Sequence, residues 1–264
     1  MSQFYAKTPA NPPLIIRRSQ VRVLAGPLEK PCIVVVLARL AHDEGQSELA
    51  EPAADGGLSL ASQLNYLDAI KRVVADHHSV SDGMAALISD CEHRSRHAAW
   101  DQLRGLDYEE AATDLRAWLL EKAPIPDRVE VVWFAMWDVT TGFDLRGSTS
   151  WSRDPEDWEW WYRDDFEAGS YEPPILIHMH DLARQADEPD AEEPQDEGVF
   201  ELTYIWLSLG FVSLAAVDAL RRLETPSRLG RLAELWAVSG HPDEVYGIIL
   251  GGLTEAGFES GATT

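Results

Sequence analysis

Cysteine is scarce in this 264-residue chain: Cys32 and Cys91 are the only two. That is too few for the disulfide framework of a secreted scaffold, so both read as buried thiols of a reducing compartment. Positive charge is also scarce. The 22 Lys and Arg face 45 Asp and Glu, a formal net charge of −23. Such a surface repels phosphate backbones and anionic lipid, which argues against direct nucleic-acid binding and against membrane attachment through basic residues. The start, Met1-Ser2-Gln3-Phe4-Tyr5-Ala6-Lys7, lacks the basic and apolar regions of a signal peptide. The longest apolar run, Leu202 to Val217, falls short of the ~20 residues of a spanning helix and contains Thr203, Ser208 and Ser213. It is expected to be a buried core helix, and the protein to be cytoplasmic.

Catalytic signatures are missing as well. No Gly-x-Ser-x-Gly elbow occurs, and Gly147-Ser148 falls inside an expected strand rather than at a strand-to-helix turn. No glycine is followed by lysine, and Gly247 to Gly252 is not a dinucleotide fingerprint, so no cofactor is expected. Cys32 lies in an aliphatic run, where burial raises a thiol's pKa and weakens it as a nucleophile. Nothing here specifies a reaction.

What is present is ordinary globular material, 45% hydrophobic and 25% charged. Leu14-Ile15-Ile16, Val21 to Leu24 and Cys32 to Leu37 are short β-branched runs set off by Gly26-Pro27 and Lys30-Pro31, which predicts strands joined by tight turns. Residues 43–57 are small, polar and acidic, a loop. Leu60, Leu64, Leu67, Ile70 and Val74 recur at helical spacing behind Ser59 or Ser62. Met84, Leu87, Ile88 and Cys91 form a second stripe after Ser81-Asp82. Asp107, with Glu110 three residues on, resembles a capping box ahead of Ala111, Leu115, Trp118 and Leu119, and Pro124 and Pro126 stop that helix. Arg128 to Val139 reads as a central strand. Phe143 to Trp151 alternates as its antiparallel hairpin partner across a Thr141-Gly142 turn. Pro173-Pro174 opens a helix over Ile175 to Gln185.

Residues 187–197 hold Asp187, Glu188, Asp190, Glu192, Glu193, Asp196 and Glu197 with no base among them, a solvated loop or linker. Beyond it the spacing predicts helices over 199–223, 226–239 and 242–257. The expected fold class is therefore α+β: a mainly antiparallel sheet with packed helices, followed by an all-helical C-terminal part. The expected organisation is an α+β domain over 1–186, an acidic loop over 187–198 and a helical subdomain over 199–264.

Two histidine pairs could hold a metal. His93 and His97 stand at i and i+4, a zinc-ligand spacing, though the intervening Arg94-Ser95-Arg96 lacks the glutamate base of a zinc hydrolase. The plainer reading is a solvated helix end, where cations favour the C-terminal dipole. His178 and His180 would share a face on a strand. On the helix expected there they point apart, and only His178 and Asp181 are neighbours. A metal-dependent hydrolase using one of these pairs and a carboxylate is thus an alternative function. His77-His78 carries the same two readings.

The densest chemical feature is the aromatic-acidic segment that begins at Asp154. Asp154, Glu156, Asp157, Trp158, Glu159, Trp160, Trp161, Asp164 and Asp165 crowd together, with Trp151 just before them. Large rigid rings anchor protein interfaces at small entropic cost, and surrounding carboxylates steer a basic partner. These nine residues are the expected contact surface for a basic protein. The competing reading packs the tryptophans into the core with the acids facing water. A further alternative has the acids mimic DNA in the groove of a nucleic-acid-binding protein.

A helix over Tyr108 to Leu120, a strand pair over Val129 to Trp151, a Trp-rich acidic turn and a return helix over Ile175 to Arg184 resemble the layout of immunity proteins of bacterial polymorphic toxin systems. The resemblance covers residues 107–185 by pattern and composition. It implies an acidic cytoplasmic protein, not an enzyme, that binds and neutralises a basic partner such as a toxin domain.

Overall fold

The computed structural model describes residues 60–76, 79–137, 141–152, 165–186, 199, 202–241 and 247–261, all within one compact unit. The expected strands before residue 40, most of the aromatic-acidic segment, His77-His78 and the acidic loop fall outside these residues.

Among the described residues four helices come first: α1 (Leu60–Asp76), α2 (Val80–Arg94), α3 (Ala99–Arg104) and α4 (Tyr108–Glu121). The expected stripes are buried, with Leu67, Ile70 and Val74 on α1 and Met84, Leu87, Ile88 and Cys91 on α2. The cap of α2 is Ser79 rather than Ser81-Asp82: its hydroxyl accepts from the Asp82 amide at 3.0 Å. Asp107 caps α4 as expected, accepting from the Glu110 amide at 3.0 Å.

Strand β1 (Val131–Met136) pairs antiparallel with β2 (Phe143–Ser148), Met136 opposite Phe143 and Val131 opposite Ser148. Strand β3 (Phe166–Tyr171) adds antiparallel to β2 at one edge. Helix α5 (Pro174–Ala186) follows. A π-helical stretch (Leu202–Leu207) then runs into α6 (Ser208–Leu223). This apolar rod over Leu202–Leu223 is long enough to cross a membrane, yet 89% of its most apolar window is buried inside the protein itself. Its place is the core, against α1, α2, α4 and the sheet. Contact with α2 is made close by two glycines. A Cβ at Gly83 would lie 2.6 Å from the Leu214 side chain, and one at Gly210 would lie closer still to Leu87.

The all-helical C-terminal part is overturned. A short 3-10 turn (Pro226–Leu229) ends at Gly230 in the left-handed region (φ 70°), and three strands follow: β4 (Leu235–Gly240), β5 (Gly247–Thr254) and β6 (Gly257–Ser260). The sheet order is β3-β2-β1-β4-β5-β6, two antiparallel meanders joined back to back by a parallel β1–β4 pair. The residues expected as a helical subdomain thus complete the same sheet as β1. The reason lies in burial. A parallel strand covered on both faces reads as a continuous apolar run, so Leu235-Trp236-Ala237-Val238 shows no alternation to distinguish strand from helix.

Both faces of the central pair are indeed covered. Val132, Phe134 and Met136 join the main core with the helices. Val131, Trp133 and Ala135 form a second cluster with Trp236 and Val238 on the opposite face, against which Trp151 and Ile249 pack.

The parallel seam is held at its start by a buried arginine. Arg231 Nε donates to the Ala233 carbonyl (2.8 Å), and its Nη2 donates to those of Val129 and Glu234 (2.7 Å each). Nη1 reaches the Pro126 carbonyl at 3.4 Å. Asp127 Oδ1 accepts from the Leu232 and Ala233 amides, which holds its carboxyl below the usual carboxylate range. Trp236 N–H then donates to the Glu130 carbonyl, and the ladder begins.

Candidate functional site

A groove of about 320 Å³ lies between the start of α4 and the β3–α5 junction. On α4, Asp107, Glu110, Ala111 and Asp114 stand at i, i+3, i+4 and i+7, one helical face. The three carboxylates are exposed and Ala111 is buried. The opposite wall is apolar: Tyr171 at the end of β3, then Pro173, Pro174 and Ile175 as α5 begins, with Leu106 below and His178 at the rim.

The wall is stiff. The Tyr171 ring stacks on Trp118 (centroids 4.9 Å apart, planes at 19°) and meets Phe143 edge-on at 5.8 Å. Burial pushes the Tyr171 phenol up from its ordinary value, and the charges of Asp114 and Glu121 push it the same way. The groove is therefore a negative field over a half-buried aromatic wall. Among the described residues lining it there is no serine or cysteine nucleophile. What it can do is hold a cation on a long stem: the stem lies along Tyr171, Pro174 and Ile175 while the head meets Glu110 or Asp114.

Of the residues expected as the contact surface, Asp154, Glu156, Asp157, Trp158, Glu159, Trp160, Trp161 and Asp164 lie outside the described residues. Asp165 is described and exposed. Its Oδ2 accepts from the Thr149 amide (2.9 Å) and hydroxyl (2.7 Å), and its own N–H donates to Gly147, so it also ties β3 to the end of β2. Trp151 is half-buried, stacked on Trp236 at 5.9 Å.

The histidine pairs separate. Helix α2 ends at Arg94 with Ser95 as its C-cap, so His93 and His97 do not share a helical face. Beyond Ser95 the chain turns toward α3, and His97 sits in that connection. On α5, as expected, His178 is exposed while His180 is buried. Among the described residues no group of three His, Cys, Asp or Glu is placed to hold a metal.

His180 faces the core rod, its Nε2 2.9 Å from Ser208 Oγ. The Ser208 hydroxyl donates to the Thr203 carbonyl (3.0 Å), so the imidazole N–H must be the donor to the serine oxygen. That is the reverse of a serine–base pair, in which the imidazole accepts the hydroxyl proton. Ser208 is also fully enclosed. Burial lowers the His180 pKa to about 4; Arg184 adds to the shift and Asp181 opposes it. The pair is a structural bolt between α5 and the rod.

The groove was only half visible in the sequence. Asp107 and Glu110 stood out as a cap, and Asp114 continues their spacing. Nothing in the spacing of α4 brings Tyr171 and Pro173 to Ile175 opposite them; the sheet edge does. The site and fold together define an acidic α+β protein with a carboxylate-rimmed groove. No protein family, curated protein or solved structure matches the chain.

Proposed function

We propose that this chain is a non-enzymatic acidic binding protein that engages and neutralises a basic protein partner, acting in the cytoplasm as an immunity or defence component. The observation that carries the reading is the α4–α5 groove, an apolar wall rimmed by Asp107, Glu110 and Asp114 that suits a lysine or arginine side chain. A net charge of −23 would speed the encounter and give it a strong salt dependence. The aromatic-acidic segment from Asp154 to Asp165 supplies further anchors on the strength of its composition, and Asp165 lies at its described end.

The test takes the partner recovered by cross-linking from the source cell and measures its affinity for two variants of the full chain. Glu110→Lys with Asp114→Lys reverses the groove's charge, and Trp160→Ala with Trp161→Ala and Asp164→Ala removes the anchors. Both are expected to weaken binding while leaving the unfolding midpoint in place. Affinity unaffected by either variant would remove the proposal, and unfolding of the tryptophan variant would place those rings in the core.

A further inference from the structure

A second cavity, of about 550 Å³, opens at the connection between α2 and α3, lined among the described residues by Glu92, His93, Arg96, His97 and Ala98. In a strongly acidic protein this corner is locally basic. Its one carboxylate is occupied, since Glu92 is paired with Arg104, which also holds Asp101 at 2.9 Å. Arg94 is engaged as well, its guanidinium 4.2 Å above the Tyr66 ring. Arg96 is exposed and makes no ion pair or hydrogen bond among the described residues.

The two imidazoles are fixed in opposite senses. His93 Nδ1 lies 2.5 Å from the Ser89 carbonyl, which can only accept, so in the neutral ring Nδ1 carries the proton and Nε2 has the lone pair. His97 Nδ1 accepts the Ala99 N–H at 3.1 Å, so in the neutral ring the proton sits on Nε2. A metal ion bridging the pair needs a lone pair from each Nε2, and His97 has its own committed to a proton. The cavity thus combines a free guanidinium, one imidazole donor and one imidazole acceptor.

We propose that this cavity binds inorganic phosphate as hydrogen phosphate, the oxyanion that keeps one protonated oxygen at neutral pH. Arg96 takes two anionic oxygens with its planar fork. His97 Nε2–H donates to one of them, and His93 Nε2 accepts the P–OH proton. The site is separate from the α4–α5 groove and does not depend on the proposed protein partner.

The experiment follows the imidazole nitrogens of the full chain by NMR during titration at constant ionic strength in chloride. The probes are inorganic phosphate, phenyl phosphate and sulfate. Near neutral pH, saturable shifts at His93 and His97 are expected with inorganic phosphate and weaker binding with phenyl phosphate, whose second proton is lost at about pH 6; equal binding of phenyl phosphate would overturn the proposal. Sulfate, with no proton to give His93, should bind more weakly. Arg96→Gln should lower phosphate affinity about tenfold or more, the loss of a charge-assisted bond. Arg94→Gln, whose partner is Tyr66, should not change it. Absence of saturable shifts, equal binding of sulfate, or an unchanged affinity in Arg96→Gln would overturn the proposal. So would zinc binding at His93 and His97 that releases the Ala99 bond.

Discussion

The β1–β4 seam and the α4–α5 groove are both shaped by charged side chains, and the charges meet opposite fates. At the seam, Arg231 is 2% exposed and gives its donors to four backbone carbonyls. Burial lowers its pKa, a cost borne by those hydrogen bonds and by the nearby charge of Asp127. At the groove, Asp107 caps α4, while Glu110 and Asp114 stay in water. The first set of contacts holds the fold together. The second leaves carboxylates available to something outside it. Hydrogen-bond partners inside the fold, not residue type, separate a charge that serves stability from one left to serve recognition.

The largest effect should come at the seam. Arg231→Ala leaves buried carbonyls without donors and is expected to cost roughly 3–5 kcal/mol in urea unfolding. Arg231→Lys should recover little, because a point charge cannot reach carbonyls on both loops. A loss under about 1 kcal/mol would mean the seam is held by the strand ladder alone.

Next comes acid. His180 and His241 both have pKa values lowered by burial to about 4. The unfolded chain takes up these protons near an ordinary histidine pKa of about 6.5, while the folded chain resists. Stability conferred by the neutral rings should therefore be intact above about pH 6.5, fall as pH drops toward 4, and lose nothing further from them below that. Each histidine contributes a few kcal/mol at most. Urea midpoints measured across this window should show a shallower decline in His180→Phe, which removes one of the two titrating rings.

Asp107→Ala removes the α4 cap and is expected to cost about 1 kcal/mol, read as a lower unfolding midpoint. Smallest on stability is the reversal of Glu110 and Asp114, expected within about 0.5 kcal/mol for exposed groups, though this variant should weaken partner binding. A large destabilisation there would erase the contrast with the seam.

The helices α1, α2, α4 and α5 and the β1–β2 hairpin were legible because each shows a covered and an open side, or a cap and a stop, within its own residues. Asp107 with Glu110 and Pro124 with Pro126 marked both ends of α4. The C-terminal strands were not legible. Leu235 to Val238 is apolar throughout, and the glycines of β5, among them Gly251 at φ 147° and Gly252 against the Trp236 ring, are chosen by close approach of neighbouring strands and rings. The alternative of a metal pair at His93 and His97 fails for a related reason: their spacing implies one face only if the helix continues, and it stops at Arg94.

Composition by itself determined that this chain is acidic, poor in cysteine and built of short helices and strands around one long apolar rod, because charge and hydrophobic periodicity are local properties. Which strands pair, which tyrosine faces which carboxylate, and the donation of the His180 ring to Ser208 were decided only in three dimensions. Those outcomes depend on partners distant in the chain, such as the carbonyls of Pro126 and Val129 that meet Arg231.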